Sequence, residues 1–280
     1  MPELTRKPDT ALPEAWRGFE DMYASFGPPL TPSEEDRGFL ESAIADWVAV
    51  HPGERLRALL LGATPGVAAA AWPAGSFLTA VDRSRGILRA VWPGNIRAVR
   101  GAVEGDWLWL PVRDASLDLA VGDGSLSALP YPDGYRKLAS TLREKLKPGG
   151  ALLLRAYVPP PAPEDPGDVM AELPRHTTFH EFKLRLLMAL QRGPQEGTHL
   201  DEVYRYWSDW GIDRAALAAE TEWRRDEIDT IDRYRGLKAV YTFPPRGELL
   251  ALLEEYFPEV RVRVPSYPMG ERCPTLVMRP

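Results

Sequence analysis

Between Arg57 and Val158 the chain repeats one pattern: a short apolar run, then turn residues, then a segment long enough to cross back. Ala58–Leu61, Phe77–Val81, Ile96–Val103, Leu117–Val121 and Ala151–Val158 read as strands, and Gly134–Leu146 reads as one of the crossover helices. A strand with one wet face alternates apolar and polar residues. Runs that are apolar on both faces are expected of parallel strands covered by helices. The alternation therefore predicts a doubly wound α/β sheet.

Helical segments flank this core. Thr31-Pro32-Ser33-Glu34 has the form of a capping box with proline at the first helical position. Phe39, Leu40, Ala43, Ile44, Trp47 and Val48 then recur at helical spacing up to His51-Pro52-Gly53. After the fifth strand, Pro159–Gly167 reads as a stiff connector rather than an element. Helices follow at Phe179–Gln191, Leu200–Trp210, Arg214–Trp223 and Asp226–Tyr234. The α/β pattern resumes with a helix at Glu248–Phe257 and a terminal hairpin of Val260–Val264 and Thr275–Met278. The expected division is a helical cap over 1–55, a core over 56–160, a helical insertion over 161–235, and a last helix and hairpin over 236–280 that complete the core.

Charge and composition exclude several classes. The net charge of −6 comes from the insertion, where residues 161–235 carry 16 acidic and 10 basic side chains; the remainder has 24 of each. No basic stripe is present to neutralise phosphates, so nucleic acid is not an expected partner. Ala58–Val81 is uncharged and long enough to span a bilayer. Gly62, Pro65, Gly66, Pro73 and Gly75 interrupt it, which argues for strand, turn and helix and against a membrane partner. Cys273, the single cysteine, allows no intrachain disulfide and fits a reducing compartment. With no secretory signal pattern at the start, the expected location is cytoplasmic.

The most informative turn is Leu61-Gly62-Ala63-Thr64-Pro65-Gly66. It places backbone at the carboxyl end of a strand, where open α/β sheets bind ligands. Gly62 permits the tight turn, Gly66 permits close approach, and Thr64 can cap the helix begun by Pro65. Twenty residues beyond Gly62 stands Asp82, a carboxylate suited to both ribose hydroxyls of an adenosine ligand. A dinucleotide needs its pyrophosphate held by helix N-terminal N–H groups. Pro65 removes one such donor and Thr64 stands where the middle glycine belongs, so the dinucleotide fingerprint is not met.

Four motifs in order resemble the class I S-adenosylmethionine-dependent methyltransferases. They are the Gly62 turn, Asp82 after the second strand, Gly105-Asp106-Trp107 followed by Leu110-Pro111 and an aspartate-led fourth strand, and Leu146-Lys147-Pro148-Gly149-Gly150 before the fifth strand. The resemblance implies a Rossmann-like, mostly parallel seven-stranded sheet with an antiparallel last strand, and S-adenosyl-L-methionine as cofactor. It further implies that Gly62, Ala63, Thr64 and Gly66 line the methionine part, that Asp82 holds the ribose, and that Arg83 lies against the adenine. Asp106 would accept from the adenine amino group, with the Trp107 backbone nearby. Gly122, Asp123, Gly124 and Ser125 would sit beneath the methyl group. Thr64-Pro65 and Arg83 depart from the family pattern.

No catalytic base is required if the acceptor is already nucleophilic; Asp123 is the nearest candidate if one is used. His176 and His180, four apart, lack a third ligand for a metal site. Tyr204, Tyr206, Trp207, Trp210 and Trp223 either pack the insertion or wall a substrate, and an acidic aromatic lid would favour a neutral or cationic small-molecule acceptor. The expected activity is methyl transfer to a small molecule. A non-catalytic cofactor-binding protein and a nicotinamide-dependent oxidoreductase are the alternatives.

Overall fold

A computed structural model describes residues 25–93 and 99–280 of the chain. The first helix, α1 (Glu34–Val50), precedes β1 (Arg57–Leu61), α2 (Pro65–Ala68), β2 (Phe77–Asp82), α3 (Arg85–Val91) and β3 (Val99–Glu104). Then come β4 (Leu117–Asp123), α4 (Asp133–Lys145) and β5 (Leu146–Arg155). The insertion holds α5 (Pro166–Ala171), α6 (Phe179–Ala189), β6 (Thr198–His199), α7 (Leu200–Asp209), α8 (Arg214–Thr221) and α9 (Arg225–Asp229). The chain ends with β7 (Val240–Tyr241), α10 (Arg246–Glu254), β8 (Glu259–Arg263) and β9 (Thr275–Arg279).

Seven strands form one sheet in the order β3-β2-β1-β4-β5-β9-β8. β1 to β5 pair in parallel, and β9 runs antiparallel to both β5 and β8. This is the doubly wound sheet expected from the apolar runs. Successive residues face opposite layers. Ala58, Leu60, Leu78, Ala80, Leu119, Val121 and Leu153 pack beneath Leu40, Ile44 and Trp47 of α1. Leu59, Leu61, Ala120, Leu152, Leu154 and Leu276 pack on the other side against α4 and α10. Both faces are therefore dry, which is why these strands show no polar alternation. The insertion has its own core around Phe179, Phe182, Leu186 and Trp207, into which Tyr157 and Phe243 also reach.

Several boundaries differ from the sequence reading, each for a local reason. The cap of α1 is Ser33, whose hydroxyl accepts the Asp36 N–H while Asp36 accepts the Ser33 N–H. The capping box therefore begins at Ser33, not Thr31, and Pro32 lies before the helix. Pro166 and Gly167, expected in the connector, open α5 because Asp165 accepts the Gly167 N–H at 2.7 Å. The third strand begins at Val99; residues 96–98 of its expected span lie outside the described residues. The Lys147–Gly150 turn falls within the bounds of β5, where the register against β4 shifts between Leu117 and Leu119. The two-residue strands β6 and β7 pair in a small separate sheet and carry too few residues to show a period in sequence.

Asp118 fixes the inner end of this frame. It is buried, accepts the Arg57 N–H at 2.8 Å, and accepts the Lys147 ammonium at 2.6 Å. It thereby ties the start of β1 to β4 and to the turn before β5. Asp118→Ala leaves a backbone N–H and an ammonium without their acceptor. The expected loss is about 2–3 kcal/mol in urea unfolding, with Asp118→Asn losing less.

Candidate functional site

Because β1, β2 and β4 run parallel, Gly62, Asp82 and Asp123 all emerge at one edge of the sheet. Gly62 has φ +96, a left-handed value that lets β1 turn at once into α2. Its N–H still reaches the Val81 carbonyl at 2.8 Å. Thr64 takes the extended N-cap conformation and Pro65 the first helical position, but the Thr64 side chain makes no capping bond, contrary to expectation. A four-residue helix that starts with proline has few free N–H groups to cap.

A cavity of about 170 Å³ lies over this edge. Its floor is Gly62, Ala63, Thr64, Asp82, Asp123 and the Gly124-Ser125 turn. Its walls come from elsewhere: Phe26 and Leu30 before α1, Leu184 and Leu187 on α6, Tyr234 after α9, and Tyr241 and Phe243 on the return to the core. The return is held by the Gln191 amide, which bonds both the N–H and the carbonyl of Phe243, and by the Thr242 N–H on the Ser127 carbonyl. Nothing in the local sequence of 240–243 announced this wall; it is set by pairing across long separations.

The Asp82 carboxylate accepts the Ser84 N–H at 2.8 Å, and the backbone of Ala63 and Arg83 lies close enough to favour its charged form. Burial pushes its carboxyl above the ordinary value, against the pull of those donors. The Trp107 indole donates to the Val81 carbonyl at 2.6 Å and lies against Gly62, so its ring and not only its backbone belongs to the site. Arg83 and Asp106 pair with each other at 2.7 Å, and Asp106 also accepts the Leu108 N–H. Neither lines the cavity, so the places expected to face an adenine are occupied by their mutual ion pair. Gly66 faces Pro32 on the far side of the turn. Gly122 lies under the floor, where a Cβ would fall 2.3 Å from Ser125 Oγ and 2.7 Å from Leu154. The cavity thus brings together Gly62, Ala63, Thr64, Asp82, Trp107 and Asp123 of the expected set, and leaves out Gly66, Arg83, Asp106 and Gly122.

Asp123, the candidate base, is bound to a buried cation. Arg155 donates from Nε to Asp123 at 2.5 Å, from Nη1 to the Pro29 carbonyl at 2.8 Å, and from Nη2 to the Tyr157 hydroxyl at 3.0 Å. Tyr157 donates in turn to the Pro29 carbonyl. Burial raises the Asp123 carboxyl while the guanidinium opposes it, and the surrounding acids hold Arg155 well above its ordinary value. A carboxylate committed to a permanent cation is poorly placed to take a proton.

No protein-family model and no curated protein matches the sequence. Solved structures do match. A protein provisionally named a Zn-dependent alcohol dehydrogenase from Rhodobacter sphaeroides is 13% identical, with TM-score 0.57 and 95% of each chain covered. The N-methyltransferase NodS from Bradyrhizobium japonicum, in complex with S-adenosyl-L-homocysteine, is 13% identical, with TM-score 0.50, covering 95% of this chain and 96% of that one. The CurJ carbon methyltransferase is 13% identical, with TM-score 0.52; 93% of this chain matches 57% of that one. The mostly parallel seven-stranded sheet with its antiparallel β9 is consistent with a Rossmann-like methyltransferase fold. The chain has the class I methyltransferase fold. At this identity the likeness carries the fold alone.

Within this methyltransferase fold Tyr204, Tyr206, Trp207, Trp210 and Trp223 lie outside the cavity lining, whereas Tyr234 of the insertion is part of it. Trp207 is buried between Phe179 and Phe182, Trp223 donates to the Thr177 carbonyl, Tyr204 and Tyr206 lie against the same core, and Trp210 is exposed. His176 and His180 also separate. His176 bonds the Leu173 carbonyl, whereas His180 sits edge-on to Phe26 behind the cavity wall. Among the described residues no three His, Cys, Asp or Glu side chains gather to hold a metal ion, and no helix is long and apolar enough to cross a membrane.

Two predictions follow from these buried charges. Arg155→Met strands the Asp123 carboxylate and should cost about 3–5 kcal/mol in chemical denaturation; adding Asp123→Asn should recover much of it. His180 is pushed down to about 3 by burial and by the neighbouring Lys183. Its stabilising neutral form is fully present above the unfolded value of 6.5 and is lost as pH falls toward 3. Unfolding at pH 5.5 should therefore show about 1 kcal/mol less stability than at pH 7 from this group, a difference that His180→Asn removes.

Proposed function

We propose that the protein is an S-adenosylmethionine-dependent methyltransferase acting on a small molecule. The observation that carries this reading is the Asp82 carboxylate, held by the Ser84 N–H on the floor of a cavity beside the left-handed Gly62 turn. The donor set fits an adenosine ligand without phosphates. A carboxylate faces the ribose position, apolar Ile87 and the Trp107 ring stand beside it, and Pro65 withholds an N–H that a pyrophosphate would need. Cavities that hold drug-sized ligands enclose about 300–1,000 Å³, so loading the cofactor widens this one.

When bound, the cofactor supplies an electrophilic methyl group on sulfur. The chain's own residues supply placement. Asp82 accepts from the ribose hydroxyls, the Gly62–Thr64 backbone borders the amino-acid end, and the apolar walls exclude water. Proximity and alignment account for the rate when the acceptor atom is already nucleophilic, which suits a site whose Asp123 is held by Arg155. A cofactor-binding protein without turnover is the second reading, favoured by the commitment of Asp123, the candidate base, to the buried Arg155.

Calorimetry with S-adenosylmethionine and S-adenosylhomocysteine tests both. Wild-type protein should bind each, and Asp82→Asn and Asp82→Ala should bind about 10- to 150-fold more weakly. Unchanged binding in the two variants would remove the ribose assignment, and tight binding of a nicotinamide dinucleotide would favour the oxidoreductase. Binding without methylation of any acceptor in a broad panel would favour the second reading.

A further inference from the structure

The sheet ends at β3 on one side and at β8 on the other, and the two edges differ in charge. On β3, Glu104 is already paired with Arg85. On β8, Glu259, Arg261 and Arg263 make no ion pair among the described residues, and the backbone of this strand bonds no described residue outside β9. An edge strand of this kind leaves a row of N–H and C=O groups that a further strand can take.

The antiparallel register sets Glu259 beside Arg279, Arg261 beside Val277 and Arg263 beside Thr275. The three charged side chains therefore share the α1 face, where they line a groove of about 360 Å³ with Trp47, Val50 and Val277. Val260 and Val262 turn the other way, against the core beneath α10. Apolar surface stands beside the charged row: Val50 is 71% exposed, and Val264, just past β8, is 43% exposed.

Edges that resist pairing carry like charges, which repel a copy of themselves. This edge carries an acid and, two residues on, a base. When a second β8 runs antiparallel with Val260 opposite its own copy, Glu259 of each chain faces Arg261 of the other. Arg263 then reaches Glu259 of the other chain on the diagonal. Moving the centre to Arg261 sets that arginine against itself, and moving it to Val262 sets Arg261 against Arg263. A wholly acidic strand would meet Glu259, and a wholly basic one would meet two arginines. The row of charges suits a copy of itself.

We propose that two copies of this chain pair antiparallel through β8 about a two-fold axis at Val260, joining their sheets edge to edge. β8 has only five residues, so the contact falls below the standard interface size. The dimer is reversible and forms as concentration rises. It is independent of what the cavity binds.

Sedimentation equilibrium of the full chain should show monomer and dimer in exchange, and amides of Glu259–Arg263 should exchange more slowly at high protein concentration than at low. Glu259→Arg and Arg261→Glu each set like charges opposite one another at both symmetric contacts, and each should weaken the dimer about tenfold or more. The double variant Glu259→Arg, Arg261→Glu restores opposite charges with the signs exchanged and should recover most of the association. Both side chains are exposed, so all three variants should keep the wild-type melting temperature. A monomer at every concentration, or a dimer that neither single variant weakens, overturns the proposal. Loss in both single variants without recovery in the double variant overturns the Val260 register. Should a variant unfold, the wild-type chain decides alone: a dimer without added amide protection at Glu259–Arg263 overturns pairing through β8.

Discussion

Arg155 is the group on which the site's geometry depends. It is the last residue of β5, nearly inaccessible to water, and its guanidinium addresses three segments that are far apart in sequence. Asp123 ends β4, Pro29 lies on the N-terminal crossing, and Tyr157 starts the path into the insertion. Asp36 at the head of α1 stands 3.8 Å away and accepts from Tyr267 of the loop before β9. A buried guanidinium is tolerable only when its donors are satisfied, so these segments are tied to one another by a shared requirement. With Pro29 held, Phe26 and Leu30 close one side of the cavity.

The other side is closed by the insertion, and its attachment is similarly polar and buried. Glu164 accepts from both Arg272 and Arg185, linking the connector to the terminal loop and to α6. Gln191 and Thr242 fix the return strand. Behind Phe26, Lys183 lies 4.4 Å over the ring and donates to Thr230 at 2.7 Å. Burial pulls its amine well below the ordinary value. The cavity is thus a mainly apolar space between buried polar networks, with Asp82 and Asp123 at its floor and arginine pairs of the insertion on the outside. Such exposed pairs contribute little stability; they make the outer faces soluble while the inner faces stay dry.

The sheet was legible because burial on two faces is written directly into residues 58–61, 117–121 and 151–155, and because parallel strands require crossovers that the intervening lengths supply. Gly62 and Asp82 were legible for the same reason: a left-handed turn and a carboxylate at a strand end are local needs. Arg83 and Asp106 were visible as residues but not as a pair, since each looked complete beside an absent ligand and only their 2.7 Å approach shows the match. The aromatic cluster around Trp207 could be read either way, because a tryptophan in a core and one in a binding wall have the same sequence signature.

What the sequence by itself determined is the layering of helices on a mostly parallel sheet, together with the edge of the sheet at which a ligand is expected. These follow from local periodicity and from the backbone limits of glycine and proline. What only the tertiary structure decided is the character of the cavity: which aromatic residues face it and where the acids point. Those properties depend on contacts between residues far apart in sequence, 128 positions for Tyr157 on Pro29 and 231 for Tyr267 on Asp36. Side chains choose such partners by distance and desolvation after the chain has folded, and no local pattern encodes that choice.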